Sequence, residues 1–175
     1  RPCTARPGGP VAAGCAAGGG VVGFWRACCA VGVGRGWVSL ADAAKRTLVT
    51  LRFFSNSRQR DQTDGTGYKG FYYHFLDMKT GKRVWQSELS LIDTTLLLAG
   101  VLTASVYFSE DTPNENEIRE RADANYCRID WQWACDGEAN VRQGWKQEEG
   151  FLQYGWAGYR RADIPSFLGL GSPSD

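Results

Sequence analysis

Apolar side chains recur at helical spacing in the segment 43–54, with polar residues between them. They are Ala43, Ala44, Leu48, Leu51 and Phe54. This period predicts an amphipathic helix. Ser39 and Asp42 form a capping box before it, in which the serine hydroxyl accepts a first-turn N–H and the aspartate reaches back. The helix is expected to end near residues 55–57, before a polar loop over 58–70.

The hydrophobic period changes to two after residue 70. One side of the segment carries Phe71, Tyr73 and Phe75, and the other side carries Tyr72, His74 and Leu76. Such alternation is typical of a β-strand. Residues 79–82 have turn chemistry, and Val84 and Trp85 are expected to begin the return strand of a β-hairpin over residues 70–86.

Two longer helices are predicted next. Ser87 is expected to cap one that runs to about Phe108. Its apolar residues occupy most of the circumference, which predicts a largely buried helix. The other is expected over 113–129, because residues 112–115 supply a capping Thr, a Pro at the first helical position and a Glu two residues later. The motif at 130–134 should end it.

The remaining pattern predicts a second hairpin, between residues 141–146 and 151–154, and a last short helix. That helix is expected over 161–169, although Pro165 should break or shift it. Long helices that alternate with short aromatic hairpins favour a mainly α fold. Helix pairs that pack side by side can build an α/α solenoid or toroid, with the hairpins on one rim, where loops carry function.

Composition separates the first 30 residues from the rest. The first 36 residues contain ten of the 22 glycines, three of the six prolines, four of the six cysteines and no acidic residue. We therefore interpret 1–30 as low-complexity, disordered or non-native sequence, and 31–175 as the ordered domain. Glycine and proline interrupt any apolar run after Arg1 and Arg6, so no convincing signal peptide is present.

Charge and motif content narrow the function. The formal net charge of +1 argues against a polybasic nucleic-acid binder, and no stretch approaches the ~20 apolar residues of a membrane span. No cofactor or metal site is expected, because the chain has one histidine, no C-x-x-C motif and no phosphate-binding loop. A disulfide between Cys127 and Cys135 is left open, since spacing alone does not establish one.

The segment 64–94 combines carboxylates, the single histidine and many aromatic rings. The carboxylates are Asp64, Asp77, Glu88 and Asp93. Sugar-cleaving sites use this mixture, because rings stack on sugars and carboxylates act as acid and base. Asp93 lies five residues after Glu88, about 140° around a helix, and is not expected to share its face. A purely structural interpretation stays open, with Asp64 and Asp77 in turns, Glu88 as a helix N-terminal charge and His74 as a structural hydrogen-bonding group.

Four stretches of the chain resemble a known family of glycoside hydrolases, the "putative glucoamylases". They are GVGRGWVSLADAAKRTLVTLRFF, DGTGYKGFYYHFLDMKTGKRVWQSELSLIDTTLLLAGVLTASVYF, DWQWA and GWKQEEGFLQYGWAGY. The family is related to bacterial β-1,2-glucanases and to a domain of cyclic β-1,2-glucan synthases. The resemblance implies a partial (α/α)6 toroid with a carbohydrate cleft on one rim, a periplasmic or secreted location, an oligo- or polysaccharide substrate and no cofactor.

The resemblance also implies roles for individual residues. Glu88 and Asp93 would be the catalytic carboxylates. The residues that would bind substrate are Asp64, Tyr68, Tyr72, His74 and Trp85. The family pattern has Asn-Glu after Gly158-Tyr159, where this chain has Arg160-Arg161, and a whole toroid needs more than twice this length. Two interpretations therefore stay open: an N-terminal hydrolase fragment acting on a β-glucan, and a non-catalytic or degenerate carbohydrate-binding helical module.

Overall fold

The computed structural model describes residues 16–17, 29–137, 141–155 and 163–172. The helices are α1 (Leu40–Ser55), α2 (Leu91–Tyr107), α3 (Pro113–Cys127), α4 (Trp131–Cys135) and α5 (Asp163–Leu170). The strands are β1 (Ala16–Ala17), β2 (Gly67–Tyr68), β3 (Phe71–Tyr73), β4 (Leu76–Asp77), β5 (Leu89–Ser90), β6 (Gly144–Lys146) and β7 (Gly150–Phe151). Residues 29–34 are also helical. Helices thus predominate, as predicted, and they accompany small antiparallel sheets.

The predicted starts of α1 and α3 are confirmed by their caps. The Ser39 hydroxyl accepts the Asp42 N–H at 3.1 Å, and the Thr112 hydroxyl accepts the Glu115 N–H at 3.4 Å. These bonds satisfy donors that have no partner inside the helix. Pro165 lies in the first turn of α5, where its missing N–H costs nothing, so the helix continues to Leu170.

Five strands form one antiparallel sheet, in the order β2-β3-β5-β6-β7. The second hairpin is confirmed, with Trp145 opposite Phe151. The hairpin predicted over residues 70–86 forms only in part. The Val84 N–H donates to the Phe75 carbonyl at 3.2 Å and Leu76 bridges Arg83, but β3 itself pairs with β2 and β5. Trp85 has a φ of 55°, in the left-handed region, and this breaks the extended backbone that a strand requires.

The cap of α2 also differs from the sequence prediction. Ser90, not Ser87, is the N-cap, and its hydroxyl accepts the Asp93 N–H at 3.3 Å. The helix starts later because Leu89 and Ser90 form β5, the central strand between the β2–β3 and β6–β7 hairpins. The helix is less buried than predicted, because Val106 on its outer side is 79% exposed.

The core lies between the sheet and helices α1, α2 and α3. Its largest fully buried side chains include Phe71, Tyr73, Leu89, Leu97 and Ile118. The segment after α3 does not simply end that helix, since Asp130 caps the separate helix α4 by accepting the Trp133 N–H at 2.9 Å.

The described part of the chain settles two further points. Cys127 and Cys135 are free thiols, so the disulfide left open by the sequence is not formed. Of the predicted low-complexity segment 1–30, residues 16–17 form β1, which pairs with β4, and residues 29–30 are helical. The rest of that segment lies outside the described residues. Among the described residues, no helix combines the length and hydropathy needed to cross a membrane.

Candidate functional site

The single histidine lies between two carboxylates. His74 Nδ1 is 2.7 Å from Glu88 Oε1, and His74 Nε2 is 3.3 Å from Asp93 Oδ2. The three side chains remain 35%, 29% and 23% exposed, respectively, so a ligand in solvent can reach them. The structure therefore brings together the two carboxylates and the histidine singled out by the sequence. We call these three residues the His74 cluster.

The local fold explains why the cluster forms. The His74 N–H donates to the Glu88 carbonyl at 2.8 Å, which continues the pairing of β3 with β5 by one residue. Ser90 ends β5 and caps α2, and its hydroxyl donates to Asp93 Oδ2 at 2.8 Å. Asp93 thus lies in the first helical turn, where the helix dipole favours a negative charge. The expectation that Asp93 points away from Glu88 was wrong, because Glu88 precedes β5 and is not on the helix.

The two contacts of His74 constrain its protons. A neutral imidazole has one N–H donor and one acceptor nitrogen, whereas an imidazolium has two donors. With both carboxylates ionised, only the imidazolium ring can donate to Glu88 and Asp93 together. With a neutral ring, the Nδ1–H group can still donate to an ionised Glu88, and Nε2 then faces Asp93 without a proton. In either state, a proton lies between the ring and Glu88, where it is available for acid–base chemistry.

Aromatic rings flank the cluster on one side. The Phe75 ring stacks on the His74 ring, with centroids 4.1 Å apart and an interplanar angle of 11°. Trp85 meets Phe75 edge to face at 5.4 Å, and its own ring is 70% exposed. An exposed indole beside polar side chains offers a flat apolar surface of the type on which sugar rings stack.

The register of the sheet places the other rings on the opposite face. Residues opposite each other in a sheet share a face, and successive residues alternate. Tyr72, Ser90 and Gly144 fall on the face of His74 and Glu88. The opposite face carries Tyr68, Phe71, Tyr73, Leu89, Trp145 and Phe151. We call the former the polar face and the latter the aromatic face.

A cluster of half-buried rings forms on the aromatic face. Trp133 of α4 lies 5.6 Å from Tyr68, 5.8 Å from Trp145 and 4.8 Å from Phe151 between ring centroids. Tyr68, predicted to contact substrate, is therefore separated from the His74 cluster by the sheet. Residue type alone does not identify Trp133, Trp145 and Phe151 as neighbours in a cluster. Their aromatic character was visible, but their proximity depends on sheet pairing between distant segments.

Tyr72 and Asp64 also lie apart from the His74 cluster. Tyr72 is 3% exposed, and its hydroxyl donates to the Phe54 carbonyl at 3.2 Å. Burial raises the pKa of this phenol, and the charge of Arg128 partly opposes the rise. Asp64 pairs with Arg58 at 3.4 Å and lines a cavity beside α1. Both residues are occupied by protein contacts.

Asp77 has the structural role that the sequence left open. Its Oδ1 accepts the N–H of Lys79 at 3.0 Å, and the N–H and hydroxyl of Thr80 at 2.7 and 2.8 Å. These bonds, those from Thr80 foremost, hold the pKa of the carboxyl group below its usual value. Asp77 organises the turn after β4 and does not contact the His74 cluster in the described hydrogen bonds.

Gly144 is a site residue that sequence reasoning missed. A Cβ at this position would lie 2.8 Å from the Leu89 carbonyl oxygen and 3.0 Å from Glu88 Cγ. Only glycine leaves room for the Glu88 side chain between β5 and β6. Its neighbours come from a strand more than 50 residues away, so no local signal identifies it. The described residues include no group of three or more His, Cys, Asp and Glu side chains arranged to hold a metal ion.

Comparison with solved structures places the fold among glycoside hydrolases. The chain superposes on a putative glucoamylase from Bacteroides uniformis with a TM-score of 0.82 and 26% identity, over 94% of this chain and 40% of the other. It superposes on a β-1,2-glucanase from Parabacteroides distasonis with a TM-score of 0.80 and 22% identity, over 90% of this chain and 23% of the other. These matches confirm the resemblance inferred from the sequence. No protein-family model matches the chain.

Among curated proteins, the chain is similar to an exo-β-1,2-glucooligosaccharide sophorohydrolase of Parabacteroides distasonis. The two are 27% identical over 119 residues, which is 65% of this chain. An endo-β-1,2-glucanase from Chitinophaga pinensis, solved with sophorotriose and glucose, has the same fold, with a TM-score of 0.77 and 22% identity over 91% of this chain. The chain spans 15% of the curated relative and 37% of this solved one.

Proposed function

We propose that the chain is part of a glycoside hydrolase that acts on a β-1,2-linked glucan, and that the His74 cluster belongs to its active site. The observation that carries the proposal is the histidine held between two accessible carboxylates, with an exposed tryptophan beside it. Similarity to a β-1,2-glucooligosaccharide hydrolase and to β-1,2-glucanases supports the substrate class. Hydrolysis by carboxylate acid–base chemistry requires no cofactor.

Within this proposal, Glu88 is the catalytic or substrate-binding carboxylate. It lies at the His74 contact where a proton is held, and a carboxyl group that keeps a proton can donate it to a glycosidic oxygen. Asp93 is its partner on the other side of the ring. Trp85 and His74 contact sugar, while Tyr72 supports the sheet beneath them. Contacts of Tyr68 and Asp64 with sugar would involve more distant parts of a long substrate.

The same proposal includes the fold of the larger domain. Helices α1, α2 and α3 would form the first part of an (α/α)6 toroid, and the five-stranded sheet would lie on one rim beside the carbohydrate cleft. The solved relatives are more than twice as long as the matched region, which leaves length for the remaining helix pairs. A periplasmic or extracellular location fits a polysaccharide substrate.

Binding and cleavage should be measured separately on the whole chain. Calorimetry with linear β-1,2-gluco-oligosaccharides measures affinity, and release of new reducing ends measures hydrolysis. β-1,3-Gluco-oligosaccharides of equal length control for unspecific binding to exposed rings. Equal affinity for both linkages, or none for either, would contradict the proposed substrate class.

Variants then test the role of Glu88. Glu88→Gln keeps the size and a hydrogen-bond acceptor but removes the carboxyl group that can gain and lose a proton, so reducing-end release should be abolished. Glu120→Gln is the matched control, because Glu120 is an exposed residue of α3. The test applies to this chain if it is active, and otherwise to a longer relative with the same motif. Activity of Glu88→Gln within about threefold of the parent would exclude this role, since general acid–base catalysis contributes about 10²–10⁴-fold.

A second candidate function is a non-catalytic carbohydrate-binding module. One observation favours it: Arg160-Arg161 occupy the positions at which the family pattern has Asn-Glu, and so remove an acidic residue. These arginines lie outside the described residues. Affinity for β-1,2-gluco-oligosaccharides without any release of reducing ends would favour this function over hydrolysis.

A further inference from the structure

Arg83 is a buried cation outside the His74 cluster. Its side chain is 3% exposed. The guanidinium binds both carboxylate oxygens of Glu148, at 2.7 and 3.1 Å, and its Nε donates to the Ser87 carbonyl at 2.6 Å. It also lies 4.7 Å above the Tyr73 ring. The bond from Arg83 is the main cause that lowers the pKa of Glu148. Through these bonds, Arg83 connects the segment before β5 with the turn between β6 and β7.

The backbone that Arg83 holds is strained. Trp85 and Gln86 are consecutive non-glycine residues with φ values of 55° and 51°. A non-glycine residue in the left-handed region is conformationally unfavourable and persists only where the surroundings impose it. The Ser87 N–H donates to the Val84 carbonyl at 3.1 Å, which closes the turn. The bond from Arg83 Nε to the Ser87 carbonyl spans this turn at 2.6 Å, whereas the contacts of the Ser87 hydroxyl with the Phe75 backbone are longer, at 3.4 Å.

The position of Glu88 depends on this turn. Glu88 directly follows Ser87, and its carbonyl accepts the His74 N–H while its carboxylate contacts His74 Nδ1. If the turn relaxed towards an extended conformation, the residues after it would rotate, and the carboxylate would leave the ring. We propose that Arg83, with Glu148 as its counter-ion, is a positioning residue that holds Glu88 against His74. The consequence for catalysis rests on the proposed function, but the positioning itself does not.

A single histidine makes the proposal directly measurable. In two-bond ¹H–¹⁵N spectra of the full chain, the imidazole signals come from His74 alone, and they separate Nδ1 from Nε2. Glu88→Gln gives the reference change in the Nδ1 signal, because it replaces the carboxylate contact. Arg83→Met removes the guanidinium but keeps an unbranched buried side chain. It should change the Nδ1 signal in the same direction and by most of the reference amount.

Two further variants keep the test decisive. Glu148→Gln leaves Arg83 in place and alters only its half-exposed partner, so it avoids the risk that Arg83→Met does not fold. It should produce a smaller change of the same sign. Arg52→Met is the control for the loss of a bidentate arginine–carboxylate pair, because it removes the pair with Glu117, at 2.8 and 2.5 Å between α1 and α3, from a more exposed position. It should leave the Nδ1 signal unchanged.

A double variant distinguishes positioning from general support of the fold. If Arg83 acts through Glu88, adding Arg83→Met to Glu88→Gln should cause little further change at Nδ1, since coupled residues are non-additive. An unchanged Nδ1 signal in folded Arg83→Met or in Glu148→Gln would overturn the proposal. So would an additive double variant, or an equal change in Arg52→Met. None of these outcomes depends on sugar binding, so a failure of the proposed function remains separate.

Discussion

The two faces of the five-stranded sheet differ in what their side chains do. On the aromatic face, Phe71, Tyr73 and Leu89 are at most 1% exposed. Trp133 of α4 packs against the rings on this face, among them Phe151. On the polar face, His74 and the carboxylates around it keep about a quarter to a third of their surface exposed. Adjacent residues of the same strands thus supply either packing or accessible polar groups. The alternation of a strand allows one short segment to do both.

The strongest test of this contrast removes a ring from the aromatic face. Phe71 is fully buried and packs edge to face against Trp131 at 5.6 Å. Phe71→Ala should lower the free energy of unfolding by about 3–5 kcal/mol, because it removes buried surface and leaves a cavity. Urea denaturation measures the change. Phe167→Ala, at a ring that is 74% exposed, is the control and should change stability far less. A loss for Phe71→Ala below about 1 kcal/mol would show that this face is not the main source of stability.

A methyl group added on the polar face should affect both stability and the site. Gly144→Ala places a Cβ 2.8 Å from the Leu89 carbonyl oxygen, so the strands must shift, at a cost of about 1–3 kcal/mol. The same Cβ crowds Glu88, so the His74 Nδ1 signal should also change. Gly34→Ala is the matched control, because nothing lies within 4 Å of its added Cβ. A stable Gly144→Ala protein with an unchanged His74 signal would contradict the close packing of Glu88.

Removal of the exposed Trp85 indole should weaken sugar binding without lowering the free energy of unfolding. Trp85→Ala leaves the core intact, so the free energy of unfolding should change by less than about 0.5 kcal/mol. Affinity for β-1,2-gluco-oligosaccharides should fall about tenfold, or ~1.4 kcal/mol, because the stacking surface is lost. Calorimetry and denaturation of the same preparation measure the two effects. Unchanged affinity would show that Trp85 does not contact the sugar, and it would not affect the difference in burial between the two faces.

The smallest effect is expected at an ion pair that belongs to neither face. Bonds from Arg52 and Arg121 lower the pKa of Glu117 to about 2. A carboxylate with a lowered pKa stabilises the fold above its ordinary pKa of about 4.5, and this contribution is lost as pH falls towards 2. Glu117→Gln should therefore slightly reduce the dependence of stability on pH between about 5 and 2. The effect is small because the pair is exposed to solvent. Denaturation at several pH values checks it, and an unaltered pH profile would show that the pair contributes nothing.

The sequence predicted the helices better than the sheet. Caps and helical periods are local, and Ser39 and Thr112 identified the starts of α1 and α3 correctly. The strand pairing of Leu89 and Ser90 is not local, because it connects hairpins that lie more than 50 residues apart. That pairing delayed the start of α2 and moved its cap from Ser87 to Ser90. Tertiary contacts decided the boundary that local propensity left open.

The candidate site was predicted in composition but not in arrangement. Family resemblance and residue chemistry selected Glu88, His74 and Asp93, which the structure brings together. The angle expected between the carboxylates was wrong because it assumed that both lie on one helix. Asp64 and Tyr68 come from the same sequence segment, yet ion pairing and strand alternation place them elsewhere. Nearness in sequence did not predict a shared surface.

The direct junction between β5 and α2 limits how this segment can change during evolution. Ser90 is both the last residue of the strand and the cap of the helix, so no loop lies between Glu88 and Asp93 that could absorb an added residue. One insertion after Ser90 would turn the following helix by about 100° and carry Asp93 away from His74. One insertion before Leu89 would move Glu88 to the other face of the sheet. The residue types along this stretch can change, but the separation of five positions between Glu88 and Asp93 is fixed by the geometry of the two carboxylates.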